Sequence, residues 1–500
     1  MLTFTITNLS THIDNPEAIS KAIGQYLIIR TGTFFKGIDY QIYNETGRTV
    51  LKTKHRVDEI KLYNQLSNTF PTGRLGYLLD YCYENQIPYQ LIDNRIKPAK
   101  HLNLEFVGPE CDGSDGNIPR LYQKEAVHKL IAKGGRGVFW HATGSGKTAS
   151  GARIITTLGV NTLYIVPSLE LLEQTVEAFS SFIKGTKIGK IGDGVWDIQP
   201  VTVATTATLW SRFETKECKE LLGNTELIIA DEVHHLSIKS GKTKNKAGKG
   251  FAVNSWYIIA ANCNAYYRVG LTGTPGKDLE SKRGLLEACI GRVIDKVPVK
   301  QLIDAGVLSD VEIHMHNIKH PGPYADYPTS RKEGVLLNDP FNRYIVQIAI
   351  AELKAGESVL LLTGSKQHQG PALVRIFEEY GYEVPFVSGD SKSKKRTKIK
   401  NDFKNGIIKC LVGTVYKEGV DFPALTVGIL CDGGRDEKGT CQFLGRVLRT
   451  SKGKKIAKLH DFMHKDKKHL QKHSNARLTE YVEQELDKII THKGIDTWQL

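Results

Sequence analysis

The chain has 500 residues, a formal net charge of +14 at pH 7 and an apolar fraction of 40%. This length exceeds what one hydrophobic core supports, and it predicts several domains. No run approaches the roughly 20 apolar residues of a membrane span, the N-terminus lacks a secretory pattern, and the eight cysteines form no CxxC pair. We therefore expect a reduced cytoplasmic protein with no membrane partner, and the basic balance favours nucleic acid.

The first 105 residues are predicted to form a small α/β module. Apolar runs at Tyr26–Ile29 and Tyr40–Tyr43 predict strands, Leu75–Tyr83 predicts a helix, and Pro88–Ile92 predicts a further strand. Residues 107–119 are rich in Gly, Asp and Pro, which is typical of a linker.

Two sets of short, continuous apolar runs follow, each alternating with helix-like stretches. Such runs are typical of parallel strands buried on both faces, so we predict an α/β fold with two tandem doubly wound domains, residues 106–298 and 299–465. The predicted strands are Gly137–Trp140, Thr162–Val166, Val201–Ala204, Leu227–Ala230 and Tyr267–Leu271, then Ser358–Leu362, Val384–Val387, Ile408–Val412 and Thr426–Leu430. Residues 466–500 are predicted to be a helical extension, whose apolar stripe consists of Leu478, Tyr481, Val482, Leu486 and Ile489.

The run His141–Thr148 follows a predicted strand and has the composition of a phosphate-binding loop. Its glycines lack a Cβ, so backbone N–H groups can approach phosphate oxygens closely. The general pattern has Gly where His141 stands. Lysine and threonine at the start of the next helix offer a charge for the outer phosphates and a hydroxyl for Mg²⁺. The predicted triphosphate-binding residues are Thr143, Gly144, Ser145, Gly146, Lys147 and Thr148.

Two carboxylates, Asp231 and Glu232, follow the predicted strand that ends at Ala230. Parallel sheets bind ligands at the carboxyl ends of their strands. We expect Asp231 to hold Mg²⁺ and Glu232 to orient and deprotonate the attacking water. Together with the loop, the pair predicts hydrolysis of a nucleoside triphosphate.

These residues, and several further motifs in order over residues 118–465, resemble the superfamily 2 helicases and translocases of the DExH type. The resemblance implies RecA-like domains, ATP as the nucleotide, and an adenine contact by Gln123. It implies nucleic-acid contacts by Pro167, Thr205 and Thr206 in the first domain. It also implies that His234, Thr272 and Thr274 couple hydrolysis to domain movement.

In the second domain, the resemblance implies nucleic-acid contacts by Gly389 and Thr414, and nucleotide contacts by Gly419 and Asp421. The run Gln442–Arg449 is similar to the arginine-finger motif, with Gln442 in a coupling role. Arg446 and Arg449 come from the second domain, so they reach the nucleotide only when the two domains close. Charge at the γ-phosphate is what phosphoryl transfer needs most.

Three basic segments, residues 237–250, 391–404 and 451–473, carry five, seven and eight Lys or Arg. If they contact phosphates, affinity should fall steeply with salt. The whole pattern resembles the phage recombination and repair helicases. It implies an ATP-dependent 3′–5′ DNA helicase or translocase acting on branched DNA, in the host cytoplasm if phage-encoded.

Three other functions remain open: an RNA helicase, a duplex-pumping motor subunit of a restriction complex, and an ATP-gated nucleic-acid clamp. The complete set of hydrolytic residues disfavours the clamp. Residues 1–105 could recognise a duplex arm or branch, or could dock a protein partner whose nature the sequence does not reveal.

Overall fold

The structure is a computed structural model, and its described residues group into two compact units. It describes residues 1–35, 42–43, 49–50, 54–114, 118–236, 255–273, 281–319, 326–388, 391, 393–414, 425–434, 437–450, 454, 456–465 and 468–493. The first unit contains residues 1–109, 122–140 and 148–296, and the second contains residues 110–121, 141–147 and 297–500. The N-terminal module therefore folds with the first unit, and the Gly-rich loop is grouped with the second.

The N-terminal module is built on a four-stranded sheet with the order β7-β2-β1-β8. Strand β8 runs parallel to β1, whereas β2 is antiparallel to both of its neighbours. The elements are β1 (Leu2–Ile6), β2 (Ser10–Ile13), α1 (Ser20–Tyr26), β3 (Ile28–Phe35), β4 (Ile42–Tyr43), β5 (Thr49–Val50), β6 (Lys54–Lys61), β7 (Thr69–Pro71), α2 (Leu75–Glu84) and β8 (Tyr89–Asp93). The predicted helix and the last strand are confirmed, but Tyr26 ends a helix instead of starting a strand. Of the Tyr40–Tyr43 prediction, Tyr40 and Gln41 lie outside the described residues.

An eight-stranded sheet with the order β14-β13-β15-β11-β16-β17-β10-β18 forms the centre of the first α/β part. Its elements, with a small β9–β12 pair, are β9 (Glu105–Phe106), α3 (Tyr122–Ala132), β10 (Arg136–His141), α4 (Lys147–Leu158), β11 (Thr162–Val166), α5 (Leu169–Phe182), β12 (Ile183–Lys184), β13 (Ile188–Gly192), β14 (Val195–Asp197), β15 (Val201–Thr205), α6 (Thr206–Ser211), α7 (Lys216–Asn224), β16 (Leu227–Ala230), α8 (Ser255–Asn262), β17 (Tyr267–Thr272), α9 (Ser281–Cys289) and β18 (Val293–Val297). All five predicted strands are present.

Both faces of this sheet are covered. Ile228 belongs to one hydrophobic cluster and Ile229 to the other, because successive side chains of a strand point to opposite faces. Val138 and Phe139 divide in the same way. The central strands are parallel to one another, which confirms the doubly wound prediction.

A seven-stranded sheet with the order β21-β22-β20-β23-β24-β19-β25 lies at the centre of the second unit. Every pairing described in it is parallel, and the four predicted strands are present. The elements are α10 (Val299–Asp304), β19 (Asp310–Ile318), α11 (Tyr327–Arg331), α12 (Asp339–Lys354), β20 (Val359–Leu362), α13 (Gln369–Glu379), β21 (Phe386–Val387), α14 (Ser393–Lys404), β22 (Cys410–Gly413), β23 (Val427–Leu430), α15 (Glu437–Val447), β24 (Ile456–His464), α16 (Lys468–Glu483) and β25 (Ile490–Lys493).

The C-terminal extension contains the expected helix α16, and the chain then returns to the sheet as β25. The predicted stripe is only partly buried: Tyr481 and Leu486 are inaccessible, but Val482 is 47% exposed. The buried face also carries Arg477, which forms an ion pair with the inaccessible Asp461 at 2.8 Å. Among the described residues, no helix combines the length and apolar character needed to cross a membrane.

Candidate active site

The Gly-rich loop connects the end of β10 to the start of α4. Gly144 and Gly146 have φ values of 94° and 81°, a left-handed region that favours glycine. The guanidinium of Arg120 donates a hydrogen bond to the Gly144 carbonyl oxygen at 3.3 Å, which supports the curved backbone. Lys147 is the first residue of α4 and Thr148 the second, so both predicted phosphate ligands lie at the N-terminus of a helix. The predicted adenine contact, Gln123, is buried on α3.

The acidic pair follows β16, which is separated from β10 by one strand of the same sheet. The Asp231 carboxylate accepts a hydrogen bond from the Glu232 backbone N–H at 2.9 Å, and it is 7% exposed. Glu232 has a φ of 47°, which is left-handed and strained for a residue with a side chain. Such strain costs about 1–3 kcal/mol and is concentrated at functional sites.

A buried histidine joins this pair to the neighbouring strand. Nδ1 of His234 lies 3.0 Å from the Thr272 hydroxyl and 3.2 Å from the Glu232 carboxylate. Thr272 is the last residue of β17, and both Thr272 and His234 are almost inaccessible. The first unit therefore brings together three of the residues predicted for hydrolysis and coupling.

Tyr164 on β11 was not predicted as a site residue, because its strand looked purely structural. Burial, followed by the negative charges of Asp231 and Glu232, raises the pKa of Tyr164 well above its ordinary value. The phenol therefore stays protonated beside the acidic pair. A single polar atom in a run of apolar residues was the one available signal in the sequence.

Helix α15 carries Gln442 and Arg446 four residues apart, so they share one face of the helix. Both are more than nine-tenths buried. An adjacent face of the helix packs on β23, since a Cβ at Gly428 would lie 2.7 Å from Phe443 and 2.8 Å from Val447. Arg449 follows the helix and forms an isolated bridge with Leu308.

The second unit also brings the Gly-rich loop against this helix. A Cβ built on Gly445 would lie 2.5 Å from the Thr143 Cβ and 3.1 Å from the Thr143 carbonyl oxygen. Any larger residue at position 445 would therefore displace the loop. Gly445 directly precedes Arg446 in the chain, so a predicted arginine finger lies beside a predicted phosphate loop.

The predicted nucleic-acid contacts are only partly described. Pro167 follows β11, and Thr205 ends the adjacent β15, so both lie at the carboxyl edge of the first sheet. The Thr205 hydroxyl caps α6 by accepting from Thr208 N–H at 3.3 Å, and the Thr206 hydroxyl donates to the Val166 carbonyl at 3.4 Å. These two hydroxyls are thus engaged within the fold, which the sequence did not indicate.

Thr414 follows β22 and donates its backbone N–H to the Val387 carbonyl at 3.0 Å. The remaining candidates lie outside the described residues, as does the lysine-rich segment 237–250. These candidates are Thr274, Gly389, Gly419 and Asp421.

Two family models match the chain. Residues 117–277 match the type III restriction enzyme res subunit, and residues 342–451 match the helicase conserved C-terminal domain. These two matches and the similar proteins described next show that the protein is an ATP-dependent helicase. It resembles the superfamily 2 helicases, as its motifs predicted.

Two relatives and one solved structure illustrate the resemblance. The chain is 28% identical to DNA 3′-5′ translocase XPB2 of Sulfurisphaera tokodaii, over 78% of this chain and 89% of the relative. It is 23% identical to the ATP-dependent DNA helicase uvsW of Enterobacteria phage T4, over 80% of each chain. The fold is similar to the DNA-bound type ISP restriction-modification enzyme LlaBIII, with a TM-score of 0.56 and 15% identity, over 84% of this chain and 34% of that one.

Proposed function

We propose that the protein is an ATP-dependent DNA helicase or translocase acting on branched DNA during replication, recombination and repair. Fork regression, branch migration and unwinding of D-loops or R-loops are the expected reactions. The names of the XPB2 and uvsW relatives support DNA as the substrate. The observation that carries the proposal is the contact between Gly445 and Thr143, because it sets an arginine-bearing helix against the phosphate loop.

In the proposed hydrolysis, Lys147 neutralises the outer phosphates and Glu232 takes a proton from the attacking water. The 3.2 Å approach of His234 to Glu232 orients that carboxylate. Arg446 and Arg449 stabilise charge that develops on the γ-phosphate, an effect worth about 10³–10⁵ in rate in comparable enzymes. The strained backbone of Glu232 fits a residue held for chemistry, not for packing.

Thr148 and Asp231 are the proposed protein ligands of Mg²⁺. A hydroxyl and a carboxylate are the hard oxygen donors that this ion prefers, with phosphate oxygens and water completing its shell. When bound, Mg²⁺ would neutralise charge on the phosphates. We propose a cytoplasmic location, the host cytoplasm if the protein is phage-encoded, single- and double-stranded DNA as partners, and 3′–5′ movement.

The test compares ATP turnover on forked DNA, linear duplex, single-stranded DNA and RNA. Forked DNA should stimulate most; a larger response to RNA would overturn the DNA assignment. Strand displacement separates a helicase from a motor that pumps duplex without unwinding, and triplex displacement detects the latter.

Two variants test the assignment of the hydrolytic residues. Glu232→Gln should bind ATP yet hydrolyse it about 10²–10⁴-fold more slowly, because the general base is lost. Lys147→Ala should abolish turnover, and retained activity would refute the phosphate loop. Gly445→Ala should lower turnover by displacing Thr143. Gly223→Ala is the glycine control for activity, because a Cβ at Gly223 on α7 would meet nothing within 4 Å and its φ lies outside the left-handed region.

A further inference from the structure

Lys454 forms hydrogen bonds with the segment Arg446–Arg449, which carries the two proposed arginine fingers. The Lys454 ammonium donates to the Leu425 carbonyl oxygen at 2.7 Å and to the Arg449 carbonyl oxygen at 3.0 Å, and it also donates to the Val447 carbonyl oxygen. An ammonium has three N–H donors, so all of them are used. Each acceptor is a backbone carbonyl, which makes the three hydrogen bonds independent of the rotamers of the acceptor residues.

The positions of these carbonyls explain why a cation lies there. Val447 is the last residue of α15, and the last carbonyls of a helix have no partner within the helix. The C-terminus also carries partial negative charge, which favours a positive side chain. Leu425 is inaccessible and lies two residues before β23. Lys454 therefore connects the C-terminal end of α15 to the start of this strand.

Among the described residues, no carboxylate lies close enough to Lys454 to form an ion pair with its ammonium. The acid that acts on Lys454 is Glu357, and Glu357 lies 3.7 Å from Lys458. Burial, only partly opposed by Glu357, lowers the pKa of Lys454 to about 8. The Lys454 ammonium therefore loses its charge within a pH range in which the enzyme can be assayed.

We propose that Lys454 is a positioning residue for ATP hydrolysis, which fixes the Arg446–Arg449 segment by capping the carbonyls of Val447 and Arg449. This inference rests on the proposed function of the two arginines. When Lys454 loses its proton, it loses a donor and its charge, and the segment loosens. The arginines then reach the γ-phosphate less well, although nucleotide binding by the Gly-rich loop remains.

The experiment measures kcat and KM for ATP on forked DNA between pH 6.5 and 9.5, with the unfolding temperature recorded at each pH. In the unmodified protein, kcat should fall as pH rises through about 8. Lys454→Met should lower kcat about 10- to 100-fold at pH 7 with KM little changed, since small displacements of a catalytic group cost up to about 100-fold. Lys454→Arg keeps its charge, so it should restore part of kcat and abolish the loss above pH 8.

Lys458→Met is the matched control. Lys458 lies four residues further along and pairs with Glu352 at 2.8 Å, so its removal destabilises the same sheet without touching the arginine segment. It should lower the unfolding temperature yet leave the shape of the pH profile unchanged. A Lys454→Met enzyme with undiminished kcat would overturn the inference, and so would a profile that Lys454→Arg does not alter.

Arg446→Ala separates this inference from the function on which it rests. If Arg446→Ala hydrolyses ATP normally, the proposed role of the arginine fails, and the positioning role fails with it. If Arg446→Ala is slow while Lys454→Met is normal, only the positioning role is refuted. If both are slow and Lys454→Arg recovers, the inference stands.

Discussion

Two contacts of the His234 imidazole have different consequences. Its contact with Glu232 concerns hydrolysis, whereas its 3.0 Å contact with Thr272 reaches the end of β17. Thr274, the other threonine predicted to act in coupling, follows two residues later, so the Thr272 hydroxyl links the acidic pair to the segment that carries both. Loss of one buried hydrogen bond costs about 1–3 kcal/mol, enough to change a coupling equilibrium about 5- to 150-fold.

We therefore expect Thr272→Val to separate ATP consumption from strand movement. The variant should still hydrolyse ATP on DNA, but it should displace fewer base pairs per ATP because His234 no longer engages β17. Paired ATPase and strand-displacement rates give this ratio. Thr156→Val, which removes a buried hydroxyl bonded to the Ala152 carbonyl at 3.1 Å, is the control and should leave the ratio unchanged. An unchanged ratio in Thr272→Val would remove Thr272 from coupling.

At the scale of elements, a buried ion pair joins the N-terminal module to helix α9. The Arg74 guanidinium lies 2.6 Å from the Glu287 carboxylate, which also accepts from the Tyr77 hydroxyl at 2.7 Å. The rest of the Arg74 fork donates to the Tyr26 carbonyl at 3.1 and 2.7 Å. Removing one partner from such a pair leaves an uncompensated buried charge.

Glu287→Ala should therefore lower the free energy of unfolding of the first unit by about 3–5 kcal/mol. Urea unfolding measures it, and limited proteolysis should then cut within the first 105 residues. Asp80→Asn provides the comparison: Asp80 also bonds across this interface, to Arg292 at 2.6 Å, but its side chain is 60% exposed. An exposed pair is worth about 0–1 kcal/mol, so equal losses in the two variants would contradict the buried-pair interpretation.

A row of histidines lies on one face of β19 and β24. Nε2 of His316 lies 2.9 Å from Nδ1 of His460, and the rings of His314 and His460 stack 4.9 Å apart. Helix α12 covers this face with Tyr344, whose hydroxyl lies 2.7 Å from His316, and Glu352, which lies 3.3 Å from His460. Other charged groups near this face are Lys458 and Glu357 beside Glu352, Glu312 on β19, and Lys493 on β25.

Acid should destabilise this sheet. Burial, followed by the neighbouring histidines, lowers the pKa of His316 to about 3, and burial with His460 also lowers the pKa of His314. Although burial opposes it, hydrogen bonding from His460 and Lys458 lowers the pKa of Glu352 to about 2. All three groups bind protons more readily when unfolded, so their stabilising effect is lost as pH falls below about 6.5 for the histidines and about 4.5 for the carboxyl.

Each pH unit below 6.5 should cost up to about 1.4 kcal/mol for each of the two histidines. Hydrogen exchange of the β19 and β24 amides at pH 7.5 and 5.5 measures this loss. His316→Gln should flatten the dependence, whereas His128→Gln, at an exposed position on α3, should leave it unaltered. Protection that does not change with pH would show that the buried histidines titrate normally.

The elements also show which features of the fold were accessible from sequence. Strands buried on both faces were predicted to within one or two residues, because a continuous apolar run has few alternatives. The apolar stripe of α16 was misjudged since part of its buried face is polar: Arg477 is stabilised by Asp461, which lies on strand β24. The order of the N-terminal sheet depends on pairings between distant segments, for which no local pattern exists.

Some residues of the candidate site were also predictable from sequence, and others were not. Lys147 at the start of a helix, and Asp231 and Glu232 after a strand, were predicted because phosphate chemistry requires these residue types at such positions. Tyr164 and Lys454 were not, because each acts through groups that only the folded chain brings near.

The N-terminal module is not an independently folded domain. Its hydrophobic core includes Leu285 and Ala288, which belong to α9 of the helicase part. Deleting residues 1–105 would expose both and would leave Glu287 buried without Arg74. Loss of activity after such a deletion would therefore report damage to the first unit, so DNA recognition by the module is better tested by surface substitutions on strand β8, whose five residues all reach solvent.

The net charge of +14 leads to a prediction for the complete protein. Each phosphate neutralised by Lys or Arg releases counterions, so binding should weaken as a power of salt concentration. With about six such phosphates neutralised, affinity for forked DNA should fall about 10³-fold between 50 and 200 mM salt. Fluorescence anisotropy with labelled fork DNA, without nucleotide, measures the slope.

Helix α14 is where we expect part of that charge to act. Lys398 and Lys404 are exposed on it, so the double change to Gln should lower the slope of log K against log salt by about 2, roughly 0.9 for each phosphate that a lysine no longer neutralises. Lys216→Gln is the control, since Lys216 is exposed but lies 3.7 Å from Glu220 and should contribute little. If the double variant and the Lys216→Gln control both leave the salt slope unchanged, the positive charge of α14 serves solubility. The DNA phosphates would then be bound elsewhere.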